Sequence, residues 1–486
     1  MPINFGTDGW RAVISDTFTF HNLRLVTQAI ADAIHSGHWY DQTLGDKAPD
    51  PNRFVVGFDT RFLSDRYARD VARVLAANGY TVYFAQADAP TPAISYAVRN
   101  LNAIGGIVIT ASHNAPRYNG MKLKASQGCA VTSSQSHRVE IFLNDNQERG
   151  RGPNLMEWTQ ALSEGLIQRF NPIPEYYQHL RGLIDFDAIA ENPPQVVVDS
   201  MHGSGRGVIE GILKGTGCEV QEIRGEMNPG FGGAHPEPIE RHLGPLAGAV
   251  STGMGDMGLA LDGDGDRIGA MDGRGKFVDP HQIMALSLKY LVEERGWRGP
   301  VVRTISTTKM IDRLAEEYGL PVYETPVGFS HIAEYMLEED ILLGGEESGG
   351  ISFRGHIPEG DGVLMGLLLV EMVAKTGKSL HQLVKELFQQ AGPAYYQRKD
   401  QRLKFPVEKT RMVRHLLDHA PEQIGGVRVS DIIDIDGVKF ILEDDSWLLI
   451  RPSGTEPVLR VYAEARNKDL VQDLLAFGEE VAASIT

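Results

Sequence analysis

The sequence predicts an α/β protein with three similar mixed α/β domains, followed by a smaller C-terminal α+β domain. Three observations support this prediction. A pattern of strand, helix, glycine and strand occurs three times before residue 325. Strand-like runs that are not separated by helices follow near the C-terminus. The chain has 486 residues, which fits about three domains of roughly 150 residues, with two or four also acceptable.

Each copy of the repeated pattern is typical of a βαβ unit with parallel strands and a right-handed crossover. The helix of each copy stops at a glycine, which adopts the left-handed conformation at a helix end at little cost. Ser64 is the predicted N-cap of the first helix. The copies are Phe54–Asp59, Ser64–Asn78 and Tyr80–Ala85; Gln195–Asp199, Gly207–Thr216 and Cys218–Ile223; and Pro300–Arg303, Thr308–Tyr318 and Pro321–Tyr323.

Loop-like segments between the copies indicate the domain boundaries. Arg149–Asn154 and Met227–Pro238 are rich in glycine, proline and polar residues, and Ala391–Arg398 follows a long predicted helix, Gly362–Gln390. The strand-like runs beyond it, with a final helix at Leu470–Ala483, predict a small domain with an antiparallel sheet. We therefore expect domains at residues 1–150, 151–277, 278–392 and 393–486.

Charge and cysteine content exclude several classes of protein. The chain carries 47 basic and 64 acidic residues, a net charge of −17, which argues against nucleic acid or an anionic membrane as a partner. An anionic substrate would need its cations concentrated locally. Two cysteines cannot build a disulfide framework, and no signal sequence or membrane-spanning run is evident. We expect a cytoplasmic protein with neither a nucleic-acid nor a membrane partner.

The stretch Thr110–Leu123 places a hydroxyl at the end of a predicted strand. The apolar run Gly106–Ile109 precedes it, Ser112 lies in a small polar cluster, and the turn signals Pro116 and Asn119-Gly120 follow. A serine at the carboxyl end of a strand is a common way to present a nucleophile. Taken alone, the stretch is more simply explained as a strand followed by a surface turn.

The segment Leu261–Gly269 carries the most specific chemical signal. Three aspartates alternate with glycines, so the backbone can curl and bring hard oxygen ligands together around Mg²⁺, Mn²⁺ or Ca²⁺. An EF-hand is excluded, because Arg267 and Gly273 stand where that loop needs Gly and Glu. A polar β-turn is the alternative, and Arg267 suggests that an anion also binds here. The aspartates are Asp262, Asp264 and Asp266.

Three other glycine-containing segments have both a structural and a functional interpretation. Gly344–Gly350 offers carboxylate and hydroxyl acceptors for sugar hydroxyls, or is a plain turn. Arg451–Pro457 could cradle a phosphate, or is a hairpin loop; it lacks the lysine of a P-loop. Ser200–Gly207 lacks the spacing of a dinucleotide-binding loop, so we interpret it as a tight turn between strand and helix.

Together these segments are typical of phosphoryl transfer: a serine, a divalent-metal site, an acidic sugar loop and a phosphate loop. Each lies in a different predicted domain, so a cleft between domains would have to bring them together.

In four motifs the sequence resembles the α-D-phosphohexomutase family, the phosphoglucomutases and phosphomannomutases. The resemblance covers essentially the whole chain and implies four domains around a central cleft, in an isomerase-class phosphotransferase that acts on a hexose phosphate. The motifs are T-A-S-H-N at Thr110–Asn114, D-G-D-G-D-R at Asp262–Arg267, G-E-E-S-G at Gly345–Gly349, and R-P-S-G-T-E-P at Arg451–Pro457.

The resemblance also implies a role for individual residues. Ser112 matches the phosphoserine, and its phosphate would bind one Mg²⁺ per chain together with the three aspartates. Arg11 and Lys122 match positions of proton transfer or charge stabilisation, and Arg267 a substrate contact. Glu346 and Ser348 match the residues that contact sugar hydroxyls. The residues that match the distal phosphate loop are Arg451, Ser453, Gly454 and Thr455.

The implied reaction interconverts glucose 1-phosphate and glucose 6-phosphate through phosphorylated Ser112, with glucose 1,6-bisphosphate as intermediate and activator. The double glutamate of G-E-E-S-G favours glucose as the hexose. A phosphomannomutase or an enzyme with dual phosphoglucomutase and phosphomannomutase specificity is the alternative, and a phosphoglucosamine mutase is less favoured. We expect the protein to be a monomer or a dimer. Ser330 stands where many relatives carry lysine, which leaves the hexose preference open. The non-enzymatic alternative is an inactive sugar-phosphate-binding protein, against which Ser112, the aspartates and Lys122 count.

Overall fold

The protein is described from a computed structural model that covers residues 3, 9–37, 39, 48–403, 408–452 and 458–485. Within these residues the strands form four sheets, one after another along the chain. The strands of the first sheet are β1 (Trp10–Val13), β2 (Asp50–Phe58), β3 (Thr81–Ala85), β4 (Ala103–Ile109), β5 (Tyr118–Ala125) and β6 (Ile167–Phe170). Those of the second are β7 (Gln195–Asp199), β8 (Glu219–Ile223), β9 (Met257–Leu261), β10 (Ile268–Asp272) and β11 (Phe277–Val278).

The third and fourth sheets complete the molecule. The third sheet contains β12 (Val301–Thr304), β13 (Val322–Thr325), β14 (Leu343–Gly345) and β15 (Ile351–Phe353). The fourth contains β16 (Tyr395–Arg402), β17 (Gln423–Ile424), β18 (Val427–Ile433), β19 (Val438–Leu442), β20 (Trp447–Pro452) and β21 (Val458–Ala465).

Sixteen α-helices of the described chain connect and cover the sheets. They are α1 (Phe20–His35), α2 (Ser64–Ala77), α3 (Thr91–Asn100), α4 (Ser133–Glu148), α5 (Trp158–Ser163), α6 (Ile173–Arg181), α7 (Phe186–Glu191), α8 (Val208–Leu213), α9 (Gly244–Ser251), α10 (Pro280–Glu293), α11 (Met310–Tyr318), α12 (Phe329–Glu338), α13 (Gly362–Thr376), α14 (Leu380–Ala391), α15 (Lys409–Asp418) and α16 (Lys468–Ile485). None of those within the described residues is both long enough and apolar enough to cross a membrane.

The first three sheets share one arrangement of strands. In each, a βαβ unit forms two parallel strands, a third parallel strand lies beside the first of them, and an antiparallel strand follows through a hairpin. The matching rows are β3-β2-β4-β5, β8-β7-β9-β10 and β13-β12-β14-β15. The predicted βαβ repeats, the three mixed α/β domains and the antiparallel C-terminal sheet are confirmed. The hairpin is part of the repeat that the sequence pattern did not reveal.

The shared arrangement places each chemical motif at an equivalent position. The turns after β4, β9 and β14 carry Ser112, the aspartates and Glu346, respectively. In the fourth sheet Arg451 lies at the end of β20, which pairs antiparallel with β21. Three of the motifs thus lie in hairpin turns, and the described part of the fourth, Arg451 and Pro452, lies at the end of a strand.

Three local predictions are wrong. The N-cap of α2 is Leu63, with φ of 62°, and Ser64 is the first helical residue; its Oγ donates to Asp59 Oδ1 at 2.8 Å and accepts from Asn119 Nδ2 at 2.9 Å. The long helix predicted over 362–390 is two helices, α13 and α14, since Gly377 adopts φ of 64° and stops the first. β2 begins at Asp50, four residues before the predicted strand Phe54–Asp59.

The hydrophobic core is shared unevenly among the sheets. The first and fourth sheets each pack against their own cluster of buried side chains. The second and third share one large cluster, and α13 runs through it with nearly every residue buried. Because α13 contacts α7, α8, β9 and β10 on one side and α10 and β15 on the other, these two sheets and their loops are fixed relative to each other.

Candidate active site

Ser112 and the aspartate turn meet directly, although 150 residues separate them in the chain. Ser112 follows β4, is fully buried and has φ of 49°. Its Oγ donates to Asp262 Oδ2 at 2.7 Å, and its backbone N–H donates to Thr110 Oγ1 at 2.9 Å. The tertiary structure therefore joins the predicted nucleophile and the predicted metal ligands.

The aspartate turn curls as the glycine spacing predicted. Asp262 Oδ1 accepts hydrogen bonds from the backbone N–H groups of Asp266 and Arg267, at 3.1 and 3.3 Å. One oxygen from each of the three aspartates lies within 4.8 Å of the others. Thr91 Oγ1 donates to Asp264 Oδ2 at 2.6 Å, whereas Asp264 Oδ1 is buried with no hydrogen-bond partner in the described part of the chain. This set of hard oxygens, one of them open, fits a divalent cation such as Mg²⁺.

Gly263 is required by the contact between the two loops. A Cβ on this residue would lie 2.4 Å from the carbonyl oxygen of Ser112, closer than any side chain can approach. The residue between the first two aspartates must therefore be glycine for the serine to reach Asp262.

Burial and the ammonium group of Lys122, on β5, shift the pKa values of the aspartates in opposite directions. Lys122 is 1% exposed, and its Nζ lies 2.9 Å from Asp264 Oδ2 and 2.5 Å from Asp266 Oδ2. Burial, together with the neighbouring Asp266 and Asp264, raises the pKa of Asp262 well above its usual value. Burial would also raise the pKa of Asp264, but the Lys122 ammonium and the Thr91 hydroxyl outweigh it and lower that pKa. The carboxylates are thus only partly balanced by protein cations.

The sugar loop reaches the aspartate turn through the backbone. Ile268 N–H donates to Gly349 O at 3.2 Å, and Ser348 Oγ donates to Glu346 Oε1. Burial and the adjacent Glu347 raise the pKa of Glu346 to about 7, against the opposing effect of Arg267. Burial opposes the charge of Arg267, but Asp266, Asp262 and Glu346 together raise its pKa. Arg267 therefore links the two loops electrostatically.

Arg11 and Arg451 lie on the first and fourth sheets. Arg11 Nη1 donates to Asn114 Oδ1 at 3.0 Å, so it contacts the serine loop. Arg451 Nη2 lies 2.9 Å from Asp436 Oδ2, which also accepts the Val327 N–H at 3.2 Å. The predicted phosphate-loop residues Ser453, Gly454 and Thr455 lie outside the described residues.

Ser330 lies in the first turn of α12, beside His331. The ring Nδ1 of His331 is 3.9 Å from Glu334 Oε2 on the same helix. The two side chains are therefore neighbours on one face of α12.

Two arginines near the serine loop were missed by the sequence motifs. Burial, and then Arg267, Arg11, Arg398 and Lys122, hold the pKa of His113 well below its usual value. Arg398 lies on β16 and is held by both oxygens of Asp400, at 2.8 and 2.9 Å. Arg61 lies under the loop and directly after β2. Its position at a parallel strand's carboxyl end was the available signal.

Comparison with known proteins identifies the family. Family profiles of phosphoglucomutase/phosphomannomutase match as alpha/beta/alpha domain I at residues 2–150, domain II at 174–275, domain III at 279–391, and the C-terminal domain at 403–480. The chain belongs to this family, the α-D-phosphohexomutases. It is an enzyme of the isomerase class that transfers phosphoryl groups.

Individual relatives carry different substrate names. A Thermococcus kodakarensis protein named phosphoglucomutase/phosphomannomutase is 33% identical over 87% of this chain and 88% of its own. A Sulfurisphaera tokodaii phosphoglucosamine/phosphogalactosamine mutase is 29% identical over 97% of both chains. A crystal structure from Thermus thermophilus, provisionally described as a phosphomannomutase, has 33% identity and a TM-score of 0.85, with 99% of both chains covered. The family is therefore shared, and the hexose differs among relatives.

The aspartate turn should bind a divalent cation in solution. We expect Asp264→Asn to raise the Kd for Mn²⁺ or Mg²⁺ by at least about 10-fold, because it replaces a carboxylate ligand with a neutral amide. Isothermal titration calorimetry would measure the change. Asp256→Asn is the matched control: it removes the same charge from the other end of β9, where Asp256 accepts the Gln195 N–H. Equal affinities in all three proteins would contradict the site.

Glu346 should make folding stability fall with rising pH. Its pKa of about 7 in the folded protein lies above the ordinary value, 4.5, so the folded state retains a proton that the unfolded state loses. Stability should therefore decrease as pH rises from about 4.5 to about 7, and Glu346→Gln should remove this decrease. Tm of both proteins between about pH 5 and pH 8 tests the sign. A difference in Tm that is constant over this range would show that the pKa of Glu346 is ordinary.

Proposed function

We propose that this phosphohexomutase is a phosphoglucomutase, which interconverts α-D-glucose 1-phosphate and glucose 6-phosphate through a phosphoserine at Ser112. The observation that supports it most is the contact of Ser112 Oγ with Asp262, beside Lys122 and the open oxygen of Asp264. A phosphate on Ser112 would lie against the cation-binding carboxylates and a lysine. Such surroundings stabilise a transferring phosphoryl group.

The reaction would proceed in two transfers. In the first, the bond between phosphorus and Ser112 Oγ breaks as a bond forms to a hydroxyl oxygen of the hexose monophosphate. The proton of that hydroxyl passes, by way of Lys122 Nζ, to the freed Oγ. The 1,6-bisphosphate then turns over in the cleft, and the second transfer returns its other phosphoryl group to Ser112 by the reverse movements.

The remaining residues bind and orient the substrate. Asp262, Asp264 and Asp266, with the Ser112 phosphate, would hold Mg²⁺, which supplies charge neutralisation for the transferring group when bound. Arg11 would stabilise charge near Ser112, and Arg267 would bind the substrate between the aspartate and sugar loops. Glu346 and Ser348 would bind sugar hydroxyls. Arg451, with Ser453, Gly454 and Thr455, would hold the phosphate that is not reacting.

An amino sugar is the second candidate substrate. Glu346 and Glu347 are adjacent carboxylates in the sugar loop. The ammonium group of an amino sugar would neutralise their charge, whereas the hydroxyl groups of glucose would donate hydrogen bonds to them. Relatives named for glucosamine phosphate occur at 29–30% identity. We retain glucose as the first proposal, because the double glutamate of this motif resembles the glucose-type members of the family.

The substrate is decided by direct comparison of turnover. We expect kcat/KM to be highest with glucose 1-phosphate among glucose, mannose and glucosamine 1-phosphates, in the presence of Mg²⁺ and a trace of glucose 1,6-bisphosphate. A higher kcat/KM with glucosamine 1-phosphate would show that the preferred substrate is the amino sugar and not glucose. No turnover with any of the three would overturn the proposed reaction.

Ser112→Ala should lower kcat by at least about 1,000-fold, because the hydroxyl that forms the covalent intermediate is lost. Incubation with glucose 1,6-bisphosphate should add one phosphoryl group to the wild-type chain and none to the variant, as measured by intact-protein mass spectrometry. Ser287→Ala is the control, since this serine is equally buried and its Oγ donates to Ile283 O in its own helix. Full activity of Ser112→Ala would exclude a phosphoserine mechanism.

A further inference from the structure

Arg61 is a buried arginine whose five side-chain N–H groups are all used. It is 2% exposed and lies directly beneath the loop that carries Ser112. Its Nε donates to Asp59 Oδ2 at 3.1 Å. The other four N–H groups donate to four backbone carbonyls of that loop and of the strand that follows it, those of Ser112 at 2.5 Å, Asn114 at 2.7 Å, Ala115 at 3.0 Å and Tyr118, the first residue of β5, at 3.1 Å.

These contacts organise the loop that connects β4 to β5. The carbonyls of Ser112, Asn114 and Ala115 lie in this loop and that of Tyr118 lies at the first residue of β5, so the loop is wrapped around a single guanidinium. Buried carbonyls without donors are costly, and here one planar side chain supplies donors to all four. Ser112 also adopts φ of 49°, a conformation that a non-glycine residue keeps only when its surroundings enforce it.

Asp59 fixes both Arg61 and the other side of the Ser112 peptide. Asp59 Oδ1 accepts hydrogen bonds from the backbone N–H of Arg61 at 2.9 Å and from Ser64 Oγ at 2.8 Å. Asp59 Oδ2 also accepts from Thr110 Oγ1 at 2.7 Å, and Thr110 Oγ1 in turn accepts the Ser112 N–H at 2.9 Å. The carbonyl and the N–H of Ser112 are therefore both connected to one buried carboxylate.

The same segment is fastened to the second sheet, which carries the aspartates. Thr60 Oγ1 donates to His202 O at 2.8 Å, in the turn after β7. The Phe231 ring, from the segment before α9, lies 4.9 Å from the Arg61 guanidinium carbon and covers its face. Arg61 is thus fixed relative to both of the loops that must meet at Ser112 and Asp262.

We propose that Arg61, held by Asp59, is a positioning residue that sets the place of Ser112 Oγ against the aspartates. It acts through the loop backbone, since its donors are occupied by that backbone and by Asp59. This inference rests on the proposed phosphoserine reaction. Loss of the guanidinium should slow phosphoryl transfer more than it weakens substrate binding, because the proposed substrate contacts lie on other loops, at Arg267, Glu346 and Arg451.

Arg61→Lys tests the inference, because lysine keeps the charge but offers three donors on one atom and cannot reach four carbonyls. We expect kcat, and the rate at which glucose 1,6-bisphosphate phosphorylates Ser112, to fall about 100-fold, as a displacement of about 1 Å produces. The Kd for the hexose monophosphate should change by less than about 3-fold. Rapid-quench mass spectrometry and calorimetry measure the two quantities.

Arg73→Lys is the matched control. Arg73 lies on α2 over the same sheet and is also a forked, largely buried arginine, with bonds to Met156 O and Asp70 at 2.9 Å and to Glu157 at 3.1 Å. We expect its replacement to leave kcat within about 2-fold of wild type, even where Tm falls.

Thr110→Val provides a second test that does not depend on how well Arg61→Lys folds. It nearly preserves the side-chain shape and removes only the link between Asp59 and the Ser112 N–H. We expect about a 10-fold fall in kcat per folded molecule, with Kd unchanged. If both variants fold and both have wild-type kcat, the positioning role is overturned and the proposed function is not. If Arg61→Lys does not fold, wild-type kcat in Thr110→Val overturns the positioning role in the same way. A wild-type enzyme that is neither phosphorylated at Ser112 nor active would instead overturn the proposed function.

Discussion

The arrangement of the site depends on one contact, in which a serine loop and an aspartate turn approach until Ser112 Oγ bonds to Asp262. Three buried carboxylates repel one another unless cations are near. Lys122, from the same sheet as the serine, supplies one positive charge, which balances part of theirs. The approach is close enough that Gly263 cannot carry a Cβ. The two loops are therefore complementary in shape and in charge.

The fold produces this contact by repeating one topology. In each of the first three sheets the chain crosses over through a helix, returns beside the first strand and then turns back in a hairpin. The hairpin turn carries the functional residues each time, and α13 packs between the second and third sheets. A repeated scaffold thus places different side chains in equivalent turns: the proposed nucleophile, the proposed metal ligands and the carboxylate proposed to bind sugar hydroxyls.

Rigidity beneath the serine loop comes from polar groups that are fully used. Arg61 has a donor for each of four loop carbonyls, and Asp59 receives four hydrogen bonds from residues 61, 64 and 110. Buried polar networks stabilise a unique geometry only when every member is satisfied. The sugar loop differs, because burial and the adjacent Glu347 raise the pKa of Glu346 to about 7. The nucleophile's loop is fixed, and the charge of the sugar loop responds to its surroundings.

The sequence by itself determined the three βαβ repeats, the antiparallel C-terminal sheet and the family, because local periodicity and four short motifs carry that information. It also predicted the curl of the aspartate turn, since Gly263 and Gly265 between the carboxylates permit it. The tertiary structure decided what the motifs contact. Lys122 and Thr91 meet Asp264, and Arg61 meets four carbonyls, through backbone separations of 51 to 173 residues that no local pattern encodes. Ser64 shows the same limit: its hydroxyl suits a helix cap, but in the fold it bonds to Asp59 and to Asn119, 55 residues away.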